Sequence, residues 1–141
     1  MFLLLTKRPS NINKYIPDEW KKCPPENVMF GTSPVNQATA NNLLGHLLEV
    51  KGKRFLSVEP QLDEITLIPW LQNKSIHWVI QGGESGHHKR KFDTDWARKL
   101  MAECHATDTP YFFKQIDKVQ PIPTDLMVRE FYKSPMINGS K

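Results

Sequence analysis

The segment His77-Trp-Val-Ile-Gln-Gly-Gly-Glu-Ser-Gly86 is apolar through Trp78, Val79 and Ile80 and then stops in a knot of glycine and polar side chains. Four other segments repeat that plan: Phe2-Leu-Leu-Leu-Thr-Lys-Arg-Pro9, Asn27-Val-Met-Phe-Gly-Thr-Ser-Pro34, Arg54-Phe-Leu-Ser-Val-Glu-Pro60 and Tyr111-Phe-Phe-Lys-Gln115. A continuous apolar run bounded by breakers suits a strand buried on both faces. Stretches long enough for crossovers separate the runs, which is the layout of a parallel sheet with its connections packed on it. The expected fold is α/β, a five-stranded, mainly parallel sheet with crossover helices. In such sheets ligands bind beyond the carboxyl ends of the strands. Here those ends carry Lys7, Thr32, Glu59, Glu84 and Lys114.

The connections carry helix grammar. Asn36 to Val50 reads as a helix capped by Asn36, with Ala40, Leu43, Leu44 and Leu47 at the spacing of one face and Gly52 as its stop. A second helix opens at Asp93 or Thr94 and buries Trp96, Leu100 and Cys104, helped by Ala97 and Met101. Ser10 to Trp20 reads as a short helix or turn, because Pro17 interrupts it. Gln61 to Asn73 reads as a loop with one or two helical turns, broken at Pro69. Residues 1–120 form the sheet domain and 121–141 a tail packed on it or extending from it. In that tail Leu126 to Tyr132 suits a small strand or hairpin element, and Asn138 to Lys141 a frayed end.

The 141 residues suit one domain. With 39% hydrophobic and 24% charged residues the composition is that of a globular protein. No apolar run approaches the roughly 20 residues of a membrane span. Phe2 to Leu5 is too short for a signal sequence and meets Lys7 and Arg8 at once, so it reads as a strand. The expected location is the cytoplasm. The net charge of +4 permits nucleic-acid or phosphate ligands without requiring them. The two cysteines, Cys23 and Cys104, stand far apart and cannot by themselves make a zinc or iron–sulfur site. Free thiols are the simpler reading, and no metal or cofactor is assigned.

Taken in order, Leu-Leu-Thr-Lys-Arg-Pro, Asn-Val-Met-Phe-Gly-Thr-Ser-Pro-Val-Asn-Gln, Arg-Phe-Leu-Ser-Val-Glu-Pro, Trp-Val-Ile-Gln-Gly-Gly-Glu-Ser-Gly and Phe-Phe-Lys-Gln resemble the phage gene-product 37/68 family. That family is a domain of unknown function placed among the radical S-adenosylmethionine (radical SAM) proteins. The resemblance runs from Phe2 to about Tyr132. It implies an incomplete TIM barrel, and a pocket bordered by the glycine-rich segment. Arg90 stands where the family often has arginine after its glycine turn, which implies an anion contact. Family members usually begin with a further segment carrying three cysteines for a [4Fe–4S] cluster, and neither Cys23 nor Cys104 matches it. The implied chain is therefore not an enzyme by itself, since the cofactor supplies that chemistry.

Several strand-end residues are candidates for a ligand site. Gly82 and Gly83 let backbone N–H groups approach an anion or a ribose, with Glu84 and Ser85 beside them; a tight turn with no ligand explains the same glycines. Glu59 and Glu84 share one mouth, where they bind a cation, share a proton, or pair with Lys7 and Lys114 in a structural network. Lys114 and Gln115 suit a phosphate, a carboxylate or a nucleic-acid backbone, or balance the glutamates. His87 and His88 lie in a basic run with Lys89, Arg90 and Lys91, which reads as a solvated loop rather than a metal site. The four tryptophans read as packing residues.

Five strands are too few to close a barrel of about eight. The first strand, Phe2-Leu3-Leu4-Leu5, is then an apolar pairing edge that the tail, a second copy or another protein has to cover. The expected partner is a homodimer mate or a partner protein on that edge. Three functions compete: a binding scaffold that acts as a counter-defence inhibitor of a host complex, one part of a split radical SAM-like enzyme holding a nucleotide-like ligand, and a nucleic-acid module using Lys7, Arg8, Lys89, Arg90 and Lys91. The first leads, because loss of the cluster removes the chemistry and leaves the surfaces.

Overall fold

The computed structural model describes residues 1–134. Each of the five apolar runs is a strand: β1 (Phe2–Leu5), β2 (Val28–Thr32), β3 (Lys53–Val58), β4 (Trp78–Gln81) and β5 (Tyr111–Phe113). They lie in chain order β1-β2-β3-β4-β5, and every neighbouring pair is parallel. The sheet is therefore wholly parallel.

Helices fill the connections: α1 (Ile12–Tyr15), α2 (Asp18–Lys22), α3 (Gln37–Leu47), α4 (Ile68–Gln72) and α5 (Thr94–Ala106). Pro17 separates α1 from α2, since a proline has no N–H to continue the ladder. A full capping box starts α3, with Thr39 N–H donating to Asn36 Oδ1 and Asn36 N–H donating to the Thr39 hydroxyl. Gly52, at φ +111°, turns the chain from that helix into β3. Pro69 does not break α4; it lies in the first turn, where a missing N–H costs nothing. Asp93 caps α5 through Asp95 N–H. Ala97, Leu100 and Cys104 of α5 are buried, while Trp96 is half-buried.

The alternation of side chains along each strand divides the molecule into two faces. Val28, Phe30, Leu56, Val58, Val79, Tyr111 and Phe113 join one core with Ile12, Leu44, Leu47, Leu71, Ala97 and Leu100 from the helices. Met29, Phe55 and Trp78 point the other way and form a small cluster with Ile80, Phe112 and Tyr132, none of them helical. All the helices thus cover one face. The other, inner face meets only the tail. Strands wound in sequence order with right-handed crossovers produce this one-sided layering.

Two polar devices, one half-buried and one buried, hold the helical layer. The Arg54 guanidinium donates to the carbonyls of Leu47, Leu48, Val50 and Ser75, closing the carboxyl end of α3, and burial pushes its pKa down. Glu103 on α5 accepts from Thr66 Oγ1 at 2.8 Å and Leu67 N–H at 2.7 Å, which anchors the 61–67 loop.

The tail folds back, though not onto β1. Arg129 bridges Phe112 antiparallel, Phe113 N–H donates to Val128 O, and Glu130 N–H donates to Tyr111 O. The outer edge of β5 is thereby occupied. Beyond it, Trp78 Nε1 donates to Glu130 O, Phe131 packs on Trp78 and Phe112, and Lys53 Nζ lies over the Tyr132 ring. The tail therefore crosses the amino-terminal half of the inner face. The expected frayed end, Asn138 to Lys141, lies outside the described residues. Among the described residues β1 keeps a free edge, with Phe2, Leu3, Leu4 and Leu5 exposed by 64%, 39%, 42% and 52%.

Candidate functional site

Gly82 and Gly83 follow β4 and bring three strand ends together. Gly83 N–H donates to Gln115 O at 2.9 Å, and Gln115 Nε2 donates back to Gly83 O at 3.2 Å. A Cβ on Gly83 would stand 2.0 Å from Ile116 O, so no other residue fits there. A Cβ on Gly82 would meet Gln115 O at 3.3 Å and Glu59 Cδ at 3.5 Å. The two glycines thus have a structural reason in the close approach of this turn to the chain after β5.

Around that turn the charged groups pair with one another. Glu59, at the end of β3, accepts from Gln115 Nε2 at 2.8 Å and faces Lys114 Nζ at 3.2 Å. Glu84 accepts from Arg90 N–H, Nε and Nη2 at 2.8 to 2.9 Å, and these bonds hold its pKa down at about 2. Asp117 is nearly buried; it accepts from Lys89 Nζ, Val119 N–H, Gln120 N–H and Gln120 Nε2, which lower its pKa far below the usual carboxylate range. The basic loop is therefore stapled at Arg90 and Lys89, while His87, His88 and Lys91 are exposed. Arg90 spends its fork on Glu84, whereas the resemblance implied an anion contact. The aromatic Tyr111 donates from its hydroxyl to Gln81 Oε1 at 2.6 Å, and Gln81 Nε2 donates to Gln61 Oε1 beneath the turn.

A recess of about 390 Å³ opens at these strand ends, lined by Lys7, Ser33, Ser57, Glu59, Ser85 and Lys114 among others. It brings Lys7, Glu59, Gly83, Glu84, Ser85 and Lys114 together. Thr32 is not among them. It shares the parity of Val28 and Phe30, which face the helical layer, and its hydroxyl is buried with no partner among the described residues. Nor does Glu59 or Glu84 pair with Lys7; their cations are Lys114 and Arg90. Among the described residues no group of three His, Cys, Asp or Glu side chains is placed to hold a metal ion. No helix among them is long and apolar enough to cross a membrane.

A larger concavity of about 480 Å³ continues from this recess down the inner face. Leu3, Leu5, Phe55, Ile80, Phe112 and Phe131 line it, with Glu59 and Lys114 at its upper rim and Arg129 lower down, 5.5 Å from the Phe112 ring centre. The Phe55 ring packs over Gly31, where a Cβ would stand 2.4 Å from its Cε1. On the far side of β1, Leu4, Ile12, Tyr15 and Ile16 line a further groove, and Tyr15 is 81% exposed. The sequence announced the exposed first strand, but not Phe131 and Arg129 as walls of the concavity. No periodicity in the tail tied them to Phe112.

An all-parallel sheet covered by helices on one face, with an apolar concavity on the other and polar strand ends above it, defines the class of this protein. The chain belongs to a family described as a protein of unknown function (DUF5131), which matches residues 1–132. No curated protein and no solved structure matches it.

Proposed function

We propose that this chain is a binding protein. Its scaffold is of the incomplete TIM-barrel, radical SAM-like type, akin to the phage gene-product 37/68 proteins, and carries no cluster of its own. Its partner is a host protein or nucleoprotein complex of a defence system, met in the cytoplasm. One contrast carries the reading. Glu59, Glu84 and Asp117 are committed to Lys114, Arg90 and Lys89, whereas Leu3, Leu5, Phe112 and Phe131 leave apolar surface open to water. A contiguous exposed apolar surface rimmed by polar groups is the mark of a protein-binding site. The strand order and the single covered face support the barrel-like part of the reading, since a barrel of about eight strands has the same order and the same helix-free interior. Two separate cysteines, one exposed and one buried with its pKa pushed up by burial, do not make a three-thiolate cluster site.

One observation favours a second reading, a split radical SAM-like enzyme. The strand-end recess holds Lys7, Ser33, Ser57 and Ser85, which suit the phosphate and hydroxyls of a nucleotide-like ligand. Capture of partners from host lysate by tagged protein, read by mass spectrometry, separates the two. The binding reading predicts a defence complex recovered by the wild type and lost with Ile80→Lys, which places a charge on the inner face. A cysteine-rich companion recovered instead supports the split enzyme. Recovery that Ile80→Lys leaves unchanged, or no recovery above background, refutes the binding reading.

A further inference from the structure

The two ends of the parallel sheet differ in charge. Segments that enter the strands mix both signs, with Lys22 and Glu26 before β2, Glu49 and Lys51 before β3, Lys74 before β4 and Asp108 before β5. The loops that leave the strands, residues 6–8, 33–36, 59–67, 82–93 and 114–120, lie together at the carboxyl end. Their carboxylates are committed. Glu59, Glu84 and Asp117 pair with Lys114, Arg90 and Lys89, and Glu64 with Lys99. Asp63 and Asp93 accept the N–H groups of Glu64 and Asp95. Four exposed cations on the same loops make no ion pair among the described residues: Lys7, Arg8, Lys91 and Lys118.

The loop between β4 and α5 is also held in place. Glu84 accepts three bonds from Arg90, and the nearly buried Asp117 accepts from Lys89 Nζ at 2.8 Å. These two clamps tie down residues 89 and 90, with the His87–His88 turn and Lys91 exposed on either side. Ordering a loop in advance lowers the cost of binding. Beside it, the strand-end recess sets the hydroxyls of Ser33, Ser57 and Ser85 around Lys7. Cations with hydroxyl and backbone donors are the groups that meet phosphate oxygens in nucleic-acid complexes. A protein or membrane partner calls for apolar or aromatic anchors as well. Of the large apolar side chains exposed among the described residues, only Val119 lies on these loops.

We infer that the loops at the carboxyl ends of the strands bind the phosphate backbone of a nucleic acid through Lys7, Arg8, Lys91 and Lys118, beside the His87–His88 turn. Lys89 and Arg90 order the loop instead of meeting the ligand. This goes beyond the protein-binding reading and uses a surface other than the apolar concavity. With no exposed aromatic ring on these loops to stack on, the contact reads charge and not bases.

Fluorescence anisotropy of a labelled DNA duplex, titrated with the full chain at several salt concentrations, tests it. The expected Kd is about 10⁻⁴–10⁻⁶ M at physiological salt and the same for unrelated sequences. Four contacts give a slope of log K on log salt of about −3 to −4. Lys91→Ala and Lys118→Asn should each weaken binding about five- to tenfold near 0.1 M salt and flatten the slope by about one. Asparagine suits the φ of +68° at Lys118. Lys51→Ala removes the same charge at the other end of the sheet and should change neither quantity. No binding at low salt, a slope that Lys91→Ala and Lys118→Asn leave intact, or an equal loss in Lys51→Ala overturns the inference. Competition by polyglutamate as strong as by unlabelled duplex also overturns it, in favour of an acidic protein. Ile80→Lys should bind the duplex as the wild type does. Failure of duplex binding leaves capture through the inner face standing, and duplex binding without capture removes only the protein-binding reading.

Discussion

Replacing Gly83 by alanine tests whether the paired glycines serve the backbone or a ligand. The new methyl would stand 2.0 Å from Ile116 O and 2.9 Å from Phe92 Cβ, both too close to be relieved by a side-chain rotation. An ordinary carbon–oxygen contact is about 3.3 Å, so the turn has to move by about 1 Å. That motion breaks the 2.9 Å bond from Gly83 N–H to Gln115 O and the 3.2 Å bond from Gln115 Nε2 to Gly83 O. Overpacking costs about 1–3 kcal/mol and each lost hydrogen bond about 1 kcal/mol, which together make roughly 3–5 kcal/mol. For a chain of this length that lowers Tm by roughly 10–17 °C. Urea unfolding followed by circular dichroism measures it. Gly86→Ala is the control, because nothing lies within 4 Å of its Cβ and only its φ of +108° opposes the change, at about 1 kcal/mol. A Gly83→Ala protein within about 1 kcal/mol of the wild type would refute the account of this turn.

Other substitutions read other parts of the fold. Gly45→Ala, in α3 with open space around its Cβ, should stabilise the protein by about 1 kcal/mol in the same urea titration. Arg54→Ala should cost about 3 kcal/mol by uncapping the carbonyls at the end of α3, and Arg54→Lys should recover little of it, since an ammonium cannot reproduce the fork. The Glu84 carboxylate, with its pKa lowered from 4.5 to about 2, stabilises the 84–90 loop fully above pH 4.5 and loses that contribution as the pH falls through about 2. Carbon-detected NMR titration of Glu84 should show its midpoint near 2 in the wild type and a higher one in Arg90→Ala, which keeps only the backbone N–H bond to the carboxylate.

The sheet was legible because parallel strands, buried on both sides, read as apolar runs, and all five runs became strands. The helices at Gln37 and Thr94 announced themselves by Asn36 and Asp93, whose side chains satisfy first-turn N–H groups. The expected one or two helical turns between Gln61 and Asn73 are present as α4, but Pro69 begins that helix rather than breaking it, and a proline in either role looks alike in sequence. Thr32 was assigned to the strand-end site by its position alone, whereas the period of two turns it toward the helices. The pairing of Glu84 with Arg90 rather than Lys7 depends on how residues 85–89 fold back, which no spacing rule fixes. The role of the tail was the least legible. It covers β5 through a few backbone bonds whose donors and acceptors every residue shares.

Residue-resolved amide hydrogen exchange across β1 tests the parallel sheet most directly. The account predicts a Leu4 amide protected by its bond toward β2 and faster exchange at Leu3 and Leu5, whose N–H groups face away from β2. A Leu4 amide that exchanges as fast as those of Leu3 and Leu5 would contradict it.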